Sequence, residues 1–160
     1  MRASILTVSD GVVAGTREDT SGRTLAELLR ADGHDVVETA VTPDEEDEIE
    51  AALRRLAGAA ELVLTTGGTG FAPRDVTPEA TRRVIEREAP GLSEAVRAAA
   101  LAKTPHAMLS RAVAGIAGRT VIVNFPGSPG GCRDGWAVLR AALPHAVGLL
   151  QDEQTSHRQT

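Results

Sequence analysis

The segment Leu62-Val63-Leu64-Thr65-Thr66 shows no polar alternation and stops abruptly at Gly67-Gly68-Thr69-Gly70. A strand that is apolar at consecutive positions must hide both faces, and such strands belong to parallel sheets covered by helices on each side. The rest of the chain repeats the theme. Ala3 to Val8 and Asp35 to Val41 read as two further strands. Between them, a polar loop runs to about Ser21-Gly22, after which Leu25, Leu28 and Leu29 fall on one helical face that Gly33 closes. Ile49, Ala52, Leu53 and Leu56 give the next helix. Thr77-Pro78-Glu79 predicts a helix start with a threonine cap and proline at the first helical position. That helix is expected to end near Pro90-Gly91, and Leu92, Ala95, Val96 and Ala99 mark another. Met108 to Ile116 and Thr120 to Asn124 predict two strands turning at Gly118, and helices around Trp136/Leu139 and Ala146/Leu150 close the chain. Alternating strands and helices of this kind define an α/β protein, a three-layer α/β/α sandwich with a mostly parallel sheet. One domain is expected over residues 1–150, with 151–160 as a loose tail.

Composition narrows the functions open to such a fold. Phe71, Phe125 and Trp136 are the only aromatic residues besides histidine, so stacking on nucleic-acid bases has almost nothing to work with. The net charge of −5 disfavours non-specific binding to a phosphate backbone. No nucleic-acid partner is therefore expected. Cys132 is the single cysteine and His34, His106, His145 and His157 are scattered, which excludes a disulfide framework and a cysteine-based zinc cluster. The apolar run after Met1-Arg2 reaches only Val8, too short for a signal peptide, and no stretch has the length of a membrane span. A cytoplasmic protein without a membrane partner is the expectation.

Ligands of open α/β sheets bind beyond the carboxyl ends of the strands. Two glycine-rich segments lie there, Thr65 to Gly70 and Asn124 to Gly131. Glycine admits a ligand close to the backbone, and consecutive N–H groups in such loops can cradle phosphate oxygens. A plainer reading makes both segments mere strand-to-helix turns. Neither is a known phosphate fingerprint: the only lysine, Lys103, lies far from a Walker position, and Pro73 replaces the last glycine of a dinucleotide motif. Between the first loop and its helix, Arg74 is suited to a bidentate phosphate contact, and Asp75 to a Mg²⁺ ion shared with substrate phosphates. The alternative is that Asp75 assists the helix cap and pairs with Arg74. Asp44 holds the corresponding place after the second strand, and the acids from Glu45 to Glu50 read as a solvated helix face with a favourable first-turn dipole interaction. Cys132 reads as a small packed side chain, not a nucleophile.

Thr65-Thr66-Gly67-Gly68-Thr69-Gly70 followed by Pro73-Arg74-Asp75-Val76-Thr77-Pro78-Glu79-Ala80-Thr81 closely resembles the molybdopterin adenylyltransferase (MoaB/Mog) family, which includes the corresponding domain of gephyrin. Ser9-Asp10, Asp19-Thr20-Ser21-Gly22, Pro43-Asp44-Glu45, Pro90-Gly91, the Met108 to Gly115 segment and Asn124-Phe125-Pro126-Gly127-Ser128-Pro129 match in order, so the resemblance spans roughly residues 3 to 150. It implies adenylyl transfer from MgATP to the terminal phosphate of molybdopterin, with pyrophosphate as the second product. Asp44 and Asp75 match the family's catalytic aspartates, and Asp75 is also the candidate Mg²⁺ ligand. Ser9, Asp10, Thr66, Gly67, Gly68, Thr69, Gly70, Arg74, Ser110, Pro126, Gly127 and Ser128 are the expected substrate-binding residues. The resemblance further implies a homotrimer, which alanine-rich segments such as Ala98 to Ala100 and Ala102 would permit, and the molybdate-insertion enzyme as a partner. The Asp75 motif points to the active branch, while Asp19 to Gly22 and Cys132 are similar to the MoaB sister branch. A catalytically silent molybdopterin-binding or assembly module on the same scaffold is the alternative function.

Overall fold

The computed structural model describes residues 1–152. Its elements are β1 (Arg2–Val8), α1 (Asp10–Val13), α2 (Thr20–Ala31), β2 (Asp35–Thr42), α3 (Glu46–Ala57), β3 (Leu62–Thr66), α4 (Thr77–Val84), β4 (Arg87–Glu88) and α5 (Pro90–Leu101). A 3-10 turn at Pro105–Leu109, then β5 (Ala114–Ala117), β6 (Thr120–Phe125), α6 (Pro129–Leu139) and α7 (Leu143–Gln151) complete them. The six strands lie in the order β2-β1-β3-β6-β5-β4. β1 is parallel to β2 and β3, and β3 to β6, while β5 runs antiparallel to both β6 and β4.

The near-continuous apolar strands do hide both faces, and the two-residue period sorts their side chains. Ala3, Ile5, Leu62, Leu64, Val121 and Val123 face one helix layer, packed with Leu25 and Leu29 of α2, Trp136 and Leu139 of α6, and Leu143 and Val147 of α7. Leu6, Val8, Val63 and Ile122 face the other, against Ile49, Leu53 and Leu56 of α3 and Ala80 and Val84 of α4. The three-layer sandwich expected from the sequence is the observed architecture. Glu46, Asp47 and Glu48 occupy the first turn of α3 and Arg54 and Arg55 its last, each complementing the helix dipole.

Local readings differ from the structure where tertiary contacts intervene. Asp10–Val13 forms a short helix inside the expected polar loop, capped by the Ser9 side chain, which accepts from the Val12 N–H. The helix at Thr77 ends at Val84, well short of Pro90, because Glu86 and Ala89 donate their backbone N–H groups to Ile116 and Ala114 and make β4 an added edge strand. Thr77 is not a cap. Val76 holds that position, and the Thr77 hydroxyl donates instead to the Gly67 carbonyl at 2.9 Å. The strand expected from Met108 begins only at Ala114: Thr104 and Pro105 start a 3-10 turn, and the Asn124 side-chain oxygen takes the Val113 N–H at 3.1 Å, which interrupts the ladder. In the second glycine-rich segment Asn124 and Phe125 belong to β6, and Pro129 to Gly131 form the first turn of α6, leaving a loop of Pro126 to Ser128. At the carboxyl end, Gln151 closes α7; the remainder of the expected tail beyond residue 152 lies outside the described residues.

β1, β3 and β6 end side by side, and their loops touch. Gly67 has φ of 95° and sits with its α-carbon against the Val8 carbonyl, while a Cβ on Gly127 would meet the Gly67 α-carbon at 3.3 Å. The Thr66 hydroxyl donates to the Pro126 carbonyl at 2.8 Å, fastening one loop to the other. Gly67→Ala should therefore destabilise the fold by more than about 2 kcal/mol, because left-handed backbone costs an L-residue about 1–2 kcal/mol before the collision with Val8. Gly130→Ala, in helical backbone with open space around it, should instead be neutral or stabilising by roughly 0.5–1 kcal/mol. Urea denaturation of the two variants checks the contrast.

Candidate functional site

The carboxyl ends of β1, β2, β3 and β6 deliver Ser9, Asp44, Thr66-Gly67-Gly68 and Gly127 to one place. Together with Asp75 they line a cavity of about 200 Å³, whose far wall is the Arg17 to Ser21 segment. A second cavity, about 360 Å³, lies on the other side of the two loops, where Thr69, Gly70, Ser110, Pro126 and Ser128 meet Arg97 and Lys103. Twelve of the fourteen expected site residues are thus divided between adjacent cavities. Asp10 and Arg74 line neither. A larger cavity, about 550 Å³, opens at the opposite end of the sheet around Arg2, Arg54, Gly58 and Thr120. It lies beyond the amino ends of the strands and contains none of the glycine-loop residues, so size alone is a poor guide to the site.

Asp10 and Asp44 are locked together. The Asp10 N–H donates to Asp44 Oδ2 at 2.8 Å, and the Asp44 N–H donates to Asp10 Oδ1 at 3.0 Å. Arg74 clasps the outside of this pair: Nε reaches Asp10 Oδ2 at 2.6 Å, and Nη2 reaches Asp10 Oδ1 at 3.2 Å and Glu45 Oε1 at 2.9 Å. The guanidinium fork expected to meet a substrate phosphate is therefore occupied by carboxylates. Its hydrogen bond, followed by that of the Asp44 backbone, holds the Asp10 carboxyl below the usual aspartate value. Asp44 moves the other way. Burial pushes its pKa up, the charges of Asp10 and Asp75 push it further, and the Asp10 N–H and Arg74 only partly compensate.

Asp75 does not pair with Arg74, nor does it cap α4. Its Oδ2 accepts the Ala72 N–H at 3.1 Å while its own N–H donates to the Ala72 carbonyl at 2.9 Å, a closed turn that leaves Oδ1 without a partner among the described residues. No group of three or more His, Cys, Asp or Glu residues among the described residues could hold a metal by itself. One carboxylate with an open oxygen, beside a second whose ionisation is disfavoured, fits Mg²⁺ held jointly with substrate phosphates, since this ion keeps few protein ligands. Among the described residues no helix is long and apolar enough to cross a membrane.

Several side chains named in the sequence carry structural roles at the site, and those of Asp19 and Asn124 were not anticipated. Asp19 caps α2 through the Gly22 N–H at 3.0 Å and takes the Thr7 hydroxyl at 2.9 and 3.0 Å, closing one wall of the smaller cavity. Its position at the start of a helix was the available signal. Buried Asn124 donates to the Thr65 and Thr81 hydroxyls at 2.9 and 3.0 Å, tying β6 to β3 and α4 under the loops. Ser128 spends its hydroxyl as the cap of α6. Cys132 is buried below the second loop with its thiol pushed up to about 11, mainly by burial, and it donates to the Pro126 carbonyl at 3.4 Å; it packs and does not attack.

Helices on both faces, glycine loops at the parallel strand ends and two aspartates converging there place the cavity where ligands of open α/β sheets bind. The family model described as "Probable molybdopterin binding domain" matches residues 4–145. The chain belongs to this family of molybdenum cofactor biosynthesis domains. It is 44% identical over 162 residues to the molybdenum cofactor synthesis protein cinnamon of Drosophila melanogaster, covering 98% of this chain but only 26% of that protein. It is 38% identical over 150 residues to the molybdopterin adenylyltransferase of Helicobacter pylori, covering 91% of this chain and 85% of that one. The crystal structure of the molybdopterin biosynthesis enzyme MoaB of Thermus thermophilus superposes with a TM-score of 0.87 at 48% identity, over 93% of this chain and 95% of that chain.

The raised Asp44 pKa has a consequence for stability. Below the ordinary aspartate value, about 4, the carboxyl is protonated whether or not the chain is folded. As pH rises, the unfolded chain releases the proton first, so stability is lost through the folded pKa, and ionised Asp44 is a net cost at neutral pH. Asp44→Asn, which can still accept the Asp10 N–H, should raise the melting temperature at pH 7. The advantage should vanish when melts are repeated below pH ~4.

Proposed function

We propose that this chain is an enzyme, a molybdopterin adenylyltransferase that uses ATP. A terminal phosphate oxygen of molybdopterin attacks the α-phosphorus of ATP, the bond from that phosphorus to the bridging oxygen breaks, and pyrophosphate leaves with the electron pair. A phosphate monoester is already a nucleophile at neutral pH, so no activated serine, cysteine or histidine is required. The observation that carries this reading is the convergence of Asp44 and Asp75, from loops after different strands, on the glycine-walled cavity beside a second and larger cavity. In-line transfer between two bound phosphate compounds needs such neighbouring subsites, because its barrier is lowered chiefly by positioning and charge neutralisation.

In this reading the Gly67-Gly68 and Gly127 backbone lines the triphosphate subsite with Ser9 and Thr66. The cavity holding Thr69, Gly70, Ser110, Pro126 and Ser128 takes molybdopterin. Asp75 would hold Mg²⁺ through its open Oδ1, and Mg²⁺ when bound neutralises charge on the phosphates. Asp44 acts beside it, with Asp10 and Arg74 setting its position. The exposed Phe71, Leu101, Met108 and Leu109 support assembly into a homotrimer; a cytoplasmic setting and a molybdate-insertion enzyme downstream are part of the same proposal.

The direct test is incubation with molybdopterin, ATP and Mg²⁺ followed by detection of adenylyl-molybdopterin and pyrophosphate. Binding of molybdopterin without product would instead make the chain a silent binding or assembly module. Asp75→Asn should lower turnover about 10²-fold or more, a few kcal/mol of barrier, with molybdopterin affinity and melting temperature little changed. Added Mg²⁺ should recover part of that loss; a wild-type rate for the variant at limiting Mg²⁺ would remove Asp75 from the metal. Sedimentation equilibrium at micromolar concentration should give three times the chain mass, and a monomer there would contradict the trimer.

A further inference from the structure

Arg111 makes more polar contacts with the Asp75 loop than any residue of that loop makes with itself. Its backbone N–H donates to the Thr69 carbonyl at 2.8 Å, Nε to the Gly70 carbonyl at 2.7 Å and Nη2 to the Asp75 carbonyl at 2.6 Å. The remaining arm of the guanidinium, Nη1, pairs with Glu79 in the first turn of α4. One side chain therefore grips the loop at its start and at its end and ties both to the helix that follows. A planar fork with donors in fixed directions suits this task, and an ammonium does not.

The other side of Arg111 is equally constrained. Its neighbour Ser110 lines the larger cavity with Thr69 and Gly70. The Ser110 and Ala112 carbonyls accept from Arg97 Nε at 3.0 Å and Nη2 at 2.9 Å, so the segment carrying Arg111 is anchored to α5. Asp75 faces the smaller cavity. The chain of contacts from α5 through Ser110 and Arg111 to Asp75 spans the wall between the two.

We infer that Arg111 is a positioning residue for Asp75, a clamp that sets the Asp75 carboxylate in one cavity against the Ser110 segment in the other. This rests on the adenylyl-transfer reading above. Arg111 lines neither cavity. It fixes the loop so that the group held by Asp75 and the phosphate presented beside Ser110 meet in register, where misplacement by about 1 Å is enough to cost orders of magnitude in rate.

The test is Arg111→Lys, which keeps the charge opposite Glu79 and the backbone bond to Thr69 but cannot reach the Gly70 and Asp75 carbonyls and the Glu79 carboxylate together. Turnover should fall about 10- to 100-fold, with KM for ATP and molybdopterin changing less than about 3-fold. In an Asp75→Asn background the same change should cost less than about 2-fold, because the group being positioned is already disabled. A role confined to stability would instead lower the melting temperature and multiply the loss equally in both backgrounds, which overturns the proposal. Hydrogen–deuterium exchange supplies a readout independent of activity: residues 69–76 should exchange at least about 10-fold faster in Arg111→Lys than in wild type, with the strands of the sheet unchanged. Unchanged exchange there, or wild-type turnover by Arg111→Lys in an assay where the wild type is active, overturns the clamp alone. A wild-type chain that forms no adenylyl-molybdopterin overturns the adenylyl-transfer reading and the catalytic part of the clamp with it.

Discussion

The close approach of Gly67 to the Val8 carbonyl and to Gly127 is the constraint on which the site depends. Three parallel strand ends lie side by side, and the loops leaving them have room only if the middle one turns through left-handed backbone without a side chain. That turn aims the Gly67 carbonyl at the Thr77 hydroxyl, which explains why this threonine lies inside its helix instead of capping it. The same turn sets Gly68 between Thr77 and the Asp44 carboxylate. Loop, helix start and acidic residue are then held at one point by contacts that a Cβ would break.

Around that point the electrostatics pull in opposite directions. Arg74 and the Asp44 N–H favour the charged form of Asp10, whereas burial and neighbouring acids disfavour the charged form of Asp44. The Asp10 clasp orients Asp44 through backbone hydrogen bonds while leaving it inadequately neutralised. Asp75, with one oxygen committed to its own turn and one open, completes an acidic wall that a cation would relieve.

The layers of the fold were legible in the residues because they follow from periodicity. The run from Leu62 to Thr66, the helical spacing of Ile49, Leu53 and Leu56, and the break at Gly33 all act locally, and the two apolar cores confirm the faces they imply. Elements created by a distant partner were not legible. β4 is two residues long and exists because Glu86 and Ala89 pair with β5. The strand expected from Met108 is shortened by the Asn124 amide, a contact across 11 positions that apolar patterning does not register. At the site, the glycine loops and both aspartates were identified as residues. The pairing of Arg74 with Asp10, 64 positions away, and the grip of Arg111 on the Asp75 loop were not.

Sequence alone therefore determined the α/β layering, the glycine loops at the carboxyl ends of the strands and the aspartates beside them, because each is written in adjacent residues or in a short period. Only the tertiary structure decided what those side chains do for one another. It divided twelve of the expected site residues between two cavities, paired Arg74 with two carboxylates, raised the pKa of Asp44 and left one oxygen of Asp75 without a partner among the described residues. Those outcomes depend on desolvation and on distances between loops far apart in the chain, and such distances arise when the parallel strands come into register.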